Sequence, residues 1–254
     1  MGEQASFEER AAQLKCLIAE SRHLAFFGGA GVSTESGIPD FRSKDGLYNQ
    51  HDIRFEKYQP EYLLSHSCLE NEPEVFYAFY RQKMNTAAIR PNITHIFLAE
   101  LEKSGKRVSV ITQNIDNLHE KAGSREVYAI HGTTYRNYCT VCGKEYPADA
   151  IFVSDERIPG CTACKKGRIR PDVTLYEEQL PKAFSQAAGV LHQADLMIVA
   201  GTSLTVYPAA NLIREFYGAH LVVINRDETQ ADRYADLVFH EEMGKVIAAV
   251  QAGL

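Results

Sequence analysis

Hydrophobic positions recur along the chain at two different spacings. Near its start, apolar residues from Phe7 through Ala11 and Leu14 to Ile18 recur every three or four positions, which predicts an amphipathic helix over residues 7 to 21. Five short apolar runs predict buried strands at residues 23–27, 108–112, 127–130, 196–200 and 221–224. Helical patterns separate most of these runs. This alternation predicts an α/β fold built on a doubly wound parallel sheet.

Two stretches interrupt this alternation of predicted strands and helices. Residues 43–92 are polar and rich in Tyr and Phe, and they predict helices and loops without a strand of the sheet, while residues 133–170 form a second insertion. Two insertions from one parallel sheet should meet over the carboxyl ends of its strands, where open α/β sheets bind ligands. We therefore expect a large domain made of residues 1–42, 93–132 and 171–254, and a cleft between it and the two insertions.

The second insertion carries four of the six cysteines, spaced as Cys139-x2-Cys142 and Cys161-x2-Cys164. A tetrahedral Zn2+ takes four thiolates, and each Cys-x2-Cys turn can present two of them. Two disulfides fit less well, because no apolar signal segment is visible in the sequence. A thioredoxin-like redox pair would leave the second Cys-x2-Cys without a role. The spacing predicts a structural zinc with a full coordination sphere, so the chemistry is expected elsewhere.

Composition and charge exclude some classes of binding partner. A chain of 254 residues fits one large domain carrying a smaller one. A net charge of -6 and a pI near 5.9 argue against a nucleic-acid binder that works through a broad basic surface. No apolar run is long enough to span a bilayer. Because the cysteines are expected to be reduced, we expect a soluble cytoplasmic protein. We expect neither a nucleic-acid partner nor a membrane partner.

A glycine turn, Gly28-Gly29-Ala30-Gly31, follows the first predicted strand. Small residues at such a turn let backbone N–H groups approach a phosphate at the start of a helix. The dinucleotide fingerprint is incomplete, however, because Thr34 occupies the third glycine position and no acidic strand end follows about twenty residues on. Alone, the turn fits an ordinary α/β protein as well as a phosphate site.

Polar residues also follow the other predicted strands. These segments are Thr112-Gln113-Asn114-Ile115-Asp116, His131-Gly132, Gly201-Thr202-Ser203 and Asn225. One polar residue after a strand is usually a cap, but the carboxyl ends of parallel strands meet at one edge of a sheet. Their repetition predicts a ligand crevice at that edge.

Together with the segment from Gly29 to Arg42, these motifs resemble the sirtuin family of NAD-dependent protein lysine deacylases, in its bacterial form. The resemblance covers essentially the whole chain after the first helix and includes the four cysteines in order. It implies a Rossmann-like large domain and a smaller domain, made of a zinc ribbon at 133–170 and a helical module at 43–92. NAD, as co-substrate, and an acyl-lysine protein or peptide would meet in the cleft between them.

The resemblance also implies roles at the matching positions. His131 would be the general base, with Asn114 and Asp116 as further catalytic residues, and Phe41 would belong to the nicotinamide pocket. The implied dinucleotide contacts are Gly29, Ala30, Gly31, Ser33, Thr34, Phe41, Arg42, Gln113, Asn114, Ile115, Asp116, His131, Gly201, Thr202, Ser203, Asn225 and Met243.

These residue types suit the implied reaction. An amide oxygen is a poor nucleophile, so it can attack C1′ of the ribose only when the nicotinamide bond is nearly broken. Asn114 and Asp116 can supply hydrogen bonds, and Phe41 can shield the reacting centre from water. His131 titrates near neutrality and can take a proton from a ribose hydroxyl. The expected products are free lysine, nicotinamide and an O-acyl-ADP-ribose.

The acyl preference is partly visible in the sequence. Family members that prefer acidic acyl groups such as succinyl carry Tyr-x-x-Arg, whereas this chain has Tyr77-x-x-Tyr80. Arg81 stands one residue out of register, about 100° around a helix. We therefore expect an uncharged acyl group and, most simply, deacetylation.

Three other functions are compatible with some of the same sequence motifs. The nearest is an NAD glycohydrolase or a protein ADP-ribosyltransferase, which would pass C1′ to water or to another acceptor. A hydride-transfer dehydrogenase and a non-catalytic NAD-sensing module are the others. His131 and the segment from Arg170 to Glu178, which resembles the family's peptide-pairing strand, favour deacylation. In that segment Tyr176-Glu177-Glu178 replaces the commoner Phe-Gly-Glu, which leaves the peptide preference open.

Overall fold

The computed structural model describes residues 5–40, 46 and 52–252. In that part of the chain the strands are β1 His23–Gly28, β2 Arg107–Thr112, β3 Val127–Ala129, β4 Gly132–Cys139, β5 Glu145–Pro147, β6 Ile169–Val173, β7 Leu196–Ala200, β8 His220–Ile224 and β9 Leu237–Phe239. Six of these form a parallel sheet in the order β3-β2-β1-β7-β8-β9, and the others form an antiparallel sheet in the order β5-β4-β6. The parallel sheet confirms the predicted fold class.

The helices alternate with these strands. They are α1 Phe7–Glu20, α2 Gly31–Thr34, α3 Pro60–Leu63, α4 His66–Asn71, α5 Pro73–Lys83, α6 Ile93–Lys103, α7 Leu118–Ala122, α8 Asp149–Phe152, α9 Lys182–Leu191 and α10 Met243–Ala252, with 3₁₀ turns at Ala209–Glu215 and Asp232–Tyr234. No helix in the described ranges is long and apolar enough to cross a membrane.

Each predicted strand is present to within one residue at either end. Every residue of β1 and β7 is buried, because helices cover both faces of the sheet. Strand β9 was not predicted, because its apolar run at 237–239 is one residue shorter than the shortest predicted runs, and the strands β4, β5 and β6 were not predicted either. The first helix ends at Glu20, one residue earlier than predicted.

Alternate side chains of β1 pack into two different cores. Leu24 and Phe26 point to the face covered by α1, α6 and α10, whereas Ala25 and Phe27 point to the face covered by α9 and the 3₁₀ turn at Ala209–Glu215. A strand places successive side chains on opposite faces. The sheet is therefore the middle layer of three, as in doubly wound proteins.

A third core lies outside the parallel sheet. Helix α5 packs Phe76 and Tyr80 against Ile151 and Ile169 of the cysteine-bearing segment, and the Tyr77 hydroxyl donates to the carbonyl oxygen of Ile169 at 2.8 Å. The two predicted insertions thus share one hydrophobic core. The exact domain boundaries given above stay a prediction.

The parallel sheet carries a backbone-to-backbone contact at its carboxyl edge. The N–H of Gly31 donates to the carbonyl oxygen of Gly201 at 2.8 Å. A Cβ on Gly31 would lie 2.7 Å from the Gly201 Cα, and a Cβ on Gly29 would lie 2.7 Å from the Gly201 oxygen. The loops after β1 and β7 can approach this closely only because glycines occupy these positions.

We predict that Gly31→Ala lowers the free energy of unfolding by about 1–3 kcal/mol, because the added methyl group must push the Gly201 backbone away. The matched control is Gly189→Ala in α9, where no atom lies within 4 Å of the new Cβ. That change should stabilise the helix by about 0.5–1 kcal/mol. Urea unfolding of both variants beside the parent measures the difference, and equal stabilities would contradict the close approach.

Candidate active site

The glycine loops open onto a cavity of about 710 Å³ at the carboxyl edge of the parallel sheet. The opposite wall is formed by the end of β6 and the segment that follows it, from Val173 to Glu178. Most of the predicted site residues line this cavity, namely Ala30, Gly31, Thr34, Gln113, Asn114, Ile115, His131, Gly201, Thr202, Ser203, Asn225 and Met243. The sheet edge therefore brings together segments that are distant in the sequence.

The remaining predicted residues lie elsewhere. Gly29 contacts the backbone of Gly201, and Ser33 and Asp116 are buried directly behind the lining. Phe41 and Arg42 lie outside the described residues.

A hydrogen-bonded chain connects the glycine turn to the end of β2. The Asn114 side-chain amide donates to the carbonyl oxygen of Gly29 at 3.1 Å and to the Ser33 hydroxyl at 3.0 Å. The Ser33 hydroxyl in turn donates to Asp116 Oδ2 at 2.7 Å, and the Leu118 N–H donates to Oδ1 at 2.9 Å. Burial raises the pKa of the Asp116 carboxyl, and these two donors act against that rise. The chain fixes Asn114 at the cavity edge.

The backbone at Asn117 adopts the left-handed conformation, with φ of 61°. Asparagine tolerates this region better than most residues, although glycine adopts it at lower cost. Asn117 thereby turns the chain from the end of β2 into α7.

His131 follows β3 and is oriented by the neighbouring loop. Its Nδ1 lies 2.9 Å from the carbonyl oxygen of Gln113. A carbonyl oxygen can only accept, so Nδ1 carries the proton in this arrangement, and Nε2 of the neutral ring holds a lone pair. Burial lowers the pKa of His131 below its ordinary value of 6.5, and the hydrogen bond to Gln113 opposes this. A neutral imidazole with a free Nε2 suits a general base.

A second histidine near these segments, His119, belongs to the core. It lies in α7, and its ring centroid is 4.6 Å from that of His95. Burial holds the pKa of His119 well below its ordinary value. His119 packs against Phe26 of β1 and so serves the structure.

Several cavity residues were not predicted as ligand contacts. Among them are Glu35, Asp40, Leu64, Tyr80, Tyr207, Arg226, Asp227 and Glu228. Those at 226–228 directly follow Asn225, so extending each strand-end segment by a few residues would have found them. Glu35 also accepts a hydrogen bond from the Gly244 N–H at 2.8 Å, which connects the glycine loop to the start of α10.

The four clustered cysteines fit a zinc ion. Their Sγ atoms all lie within 4.8 Å of one another; Cys139 and Cys164 are 3.6 Å apart, and Cys142 and Cys161 are 3.7 Å apart. Four sulfurs at about 2.3 Å from a tetrahedral zinc would be about 3.8 Å apart. The Tyr146 hydroxyl lies 3.1 Å from the Cys161 Sγ, and a hydrogen bond between them lowers the pKa of Cys161, whereas the pKa of Cys142 is raised among the crowded thiols.

The zinc cluster is separate from the cavity. Among the described residues, the cavity lining includes none of the four cysteines. Four thiolates also leave no open position for a water or a substrate. A zinc ion bound by these cysteines would therefore stabilise the segment around the antiparallel sheet rather than take part in the chemistry.

The Sir2 family model matches residues 29–208. That span includes the glycine turn, the segment after β2, His131 and the four cysteines. The chain belongs to the Sir2 family. The match confirms the resemblance inferred from the motifs.

Curated relatives and solved structures agree with this assignment. A protein of Cutibacterium acnes named NAD-dependent protein deacetylase is 51% identical over 94% of this Sir2-family chain and 96% of its own length. One of Clostridium acetobutylicum with the same name is 48% identical, with coverages of 94% and 96%. A Sir2 structure with a p53 peptide and NAD+ has a TM-score of 0.81 and 36% identity, and covers 95% of this chain and 97% of its own. A Sir2 structure bound to an acetylated peptide has a TM-score of 0.82 and 34% identity, with the same coverages.

We predict that the purified Sir2-family protein contains one zinc ion per chain and that Cys139→Ser abolishes zinc binding and lowers the melting temperature, because a metal ligand is lost. Cys16→Ser, at an exposed cysteine outside the cluster, is the matched control and should keep both. Metal analysis by mass spectrometry and thermal unfolding give the two readouts. Full zinc content in Cys139→Ser would contradict the assignment.

Proposed function

We propose that this protein is an NAD-dependent protein lysine deacylase, most simply a deacetylase, which releases nicotinamide and an O-acyl-ADP-ribose. The observation that carries the proposal is the position of His131. It lies in one cavity with the glycine loops on one side and the segment from Val173 to Glu178 on the other. A base placed between a dinucleotide site and a peptide-binding edge suits a transfer between the two.

The residues of the sheet edge fit NAD as a co-substrate. NAD supplies the bond between nicotinamide and ribose that is broken, and the sugar that accepts the acyl group. We assign Ala30 and Thr34 to its phosphate side, because both line the cavity beside the glycine turn. Asn225 and Met243 would contact the adenosine end. The roles of Phe41 and Arg42 stay predictions.

Three side chains would orient the reacting groups. His131 Nε2 can take a proton from a ribose hydroxyl, because Gln113 holds the ring in the required tautomer. Asn114 is fixed by Gly29 and Ser33 and presents its amide group at the cavity edge. Asp116 acts from behind the lining and holds Ser33 in place. A network with its hydrogen bonds already formed needs little reorganisation during the reaction.

The segment after β6 fits a peptide-binding edge. The N–H of Tyr176 donates to the Leu64 carbonyl oxygen and the His66 N–H donates to the Tyr176 carbonyl oxygen, both at 3.0 Å. Arg170 donates two hydrogen bonds to the carboxylate of Glu178, at 2.7 and 3.0 Å. These contacts hold the segment in a fixed conformation beside the cavity, and they use both backbone groups of Tyr176. A peptide that pairs with the remaining backbone groups of the segment would be bound with tolerance for different sequences around the lysine.

Glu177 occupies the position of the glycine in the commoner Phe-Gly-Glu. Its φ of 75° is a conformation in which glycine is commoner. Its carboxylate accepts hydrogen bonds from the Ser67 N–H at 2.9 Å and from the Ser67 hydroxyl at 2.6 Å, which offset the backbone strain. The turn is therefore kept without glycine, and the segment is tied to α4.

The surroundings of Arg81 support an uncharged acyl group. Its guanidinium donates to the carbonyl oxygens of Ile151, Glu156 and Arg157, at 2.7, 2.6 and 3.1 Å. Tyr80, the neighbouring residue, lines the cavity instead. A buried carboxylate at the acyl end would lack the cation that it needs, so succinyl-lysine should be a poor substrate.

We also propose the domain division predicted from the sequence, with boundaries at residues 42, 92, 132 and 170. The shared core of the two insertions supports it. A cytoplasmic location stays a prediction.

Incubating the protein with NAD and an acetyl-lysine peptide should release nicotinamide only when the peptide is acetylated. In His131→Ala, kcat should fall by about 100-fold or more while NAD binding is retained, because a positioned base contributes about 10²–10⁴ in rate. The control is His192→Ala, an exposed histidine paired with Glu215. Nicotinamide release that ignores the peptide would favour an NAD glycohydrolase, and transfer to a protein side chain would favour an ADP-ribosyltransferase.

The pH profile should show His131 acting as a base. A base must be unprotonated, and the pKa of His131 is lowered from 6.5. More than half of the maximal activity should therefore remain at pH 6.5, and activity should fall on acidification with an apparent pKa lower than that value. Initial rates of kcat/KM with a peptide that lacks titratable groups near the lysine measure this limb. An acid limb above pH 6.5 would show that a different group, or a charged partner, governs the step.

A further inference from the structure

One wall of the cavity is formed by the short loop between β9 and α10, residues 240–242. Glu241 and Glu242 of this loop line the cavity together with Met243, the first residue of α10. The N–H of Asn225 donates to the carbonyl oxygen of Phe239 at 3.0 Å, so the loop begins beside Asn225. The position of the β9–α10 loop therefore shapes the end of the cavity that we assigned to adenosine.

Two residues of the cavity lining hold the loop from within the site. The carbonyl oxygen of Asn225 lies 2.9 Å from His240 Nδ1, and because a carbonyl oxygen can only accept, the imidazole donates. The Glu35 carboxylate accepts from the Gly244 N–H at 2.8 Å. A side chain at Gly244 would collide with that carboxylate. These contacts fix the first residue of the loop and the first turn of α10.

A third anchor comes from outside the cavity lining. Arg10 of α1 donates through Nη1 to the Val238 carbonyl oxygen at 2.6 Å and through Nη2 to Glu241 Oε1 at 2.7 Å. Val238 belongs to β9, whereas Glu241 belongs to the loop, so one guanidinium joins the strand to the loop that follows it. A planar guanidinium can hold two acceptors in a fixed geometry.

The Arg10 side chain is itself held in place. Its guanidinium lies 5.0 Å from the ring centroid of Phe239, and Phe7 packs edge-on against the same ring with centroids 6.2 Å apart. The side chains of Arg10 and Glu241 are only 24% and 23% exposed, so salt screens their interaction less than that of a fully exposed pair. Arg10 is therefore preorganised to bind Glu241.

We propose that Arg10 is a positioning residue for NAD, which acts through Val238 and Glu241 to keep the β9–α10 loop in its binding conformation. Arg10 does not line the cavity, and α1 precedes the residues 29–208 that the family model matches. The inference rests on the proposed function in assigning NAD to this cavity. Without Arg10 the loop spends part of its time in other conformations, and the apparent dissociation constant for NAD rises accordingly.

The test measures NAD binding to Arg10→Gln, which removes the charge and the paired donors. The dissociation constant for NAD, from isothermal titration calorimetry, should rise about five- to tenfold, because a charge-assisted contact is lost. KM for NAD should rise by a similar factor, whereas kcat at saturating NAD should stay within about twofold. The dissociation constant of an acetyl-lysine peptide should not change, which separates positioning of NAD from a general loss of structure.

Lys106→Gln is the matched control. The Lys106 ammonium also binds α1, by donating to the carbonyl oxygens of Ala19 and Ser21 at the other end of the helix, and Lys106 does not line the cavity. This change should lower the melting temperature by about 2–4 °C and leave the dissociation constant for NAD unchanged.

A double-mutant cycle shows whether the effect passes through Glu241. In a Glu241→Gln background, Arg10→Gln should raise the dissociation constant for NAD by a smaller factor than in the parent, because the ion pair is already absent. An equal factor in both backgrounds overturns the inference. So does an unchanged dissociation constant in Arg10→Gln, or an equal rise in Lys106→Gln, which would mean that the packing of α1 as a whole sets the affinity.

These binding measurements separate the inference from the proposed function. If Arg10→Gln weakens NAD binding but no acyl peptide is turned over, the inference stands and the function fails. If acetyl-lysine is turned over and NAD binding does not respond to Arg10→Gln, the function stands and the inference fails. A parent protein that binds no NAD would overturn both.

Discussion

The contact between the glycine loops after β1 and β7 is the constraint on which the site depends. Gly31 and Gly201 meet through their backbones, with a hydrogen bond of 2.8 Å and no room for a side chain between them. This contact sets the distance between two neighbouring strand ends. It brings the predicted phosphate side and the residues after β7 into one cavity, which a looser sheet edge would leave open to solvent.

Hydrogen bonds that start at the glycine turn orient the polar side chains of the site. Asn114 binds the carbonyl oxygen of Gly29, Ser33 joins Asn114 to Asp116, and Gln113 orients His131 through its own carbonyl oxygen. Each of these side chains follows the end of a strand or opens a short helix. The parallel sheet thus supplies rigid anchor points, and the loops supply the polar groups.

Much of the fold could be predicted because burial on both faces makes each central strand a continuous apolar run, as at residues 196–200. Strand β9 was missed because its apolar run ends after three residues, at His240, whereas the run at β3 continues to Ile130. The cysteine pairs predicted the metal cluster, since the spacing alone determines which thiolates can meet. Asp116 was predicted as a site residue. Its position behind the cavity lining depends on a tertiary hydrogen bond from Ser33, 83 positions away in the chain. The left-handed turn at Glu177 likewise depends on Ser67, 110 positions away.

Transfer of the acyl group from lysine to ADP-ribose is tested most directly by following the acyl group itself. A peptide carrying a 13C-labelled acetyl group on its lysine is incubated with NAD and the zinc-loaded protein, and the products are analysed by mass spectrometry. The account predicts that the label appears on ADP-ribose, in an amount equal to the nicotinamide released. Nicotinamide release with the label still on the peptide would contradict it.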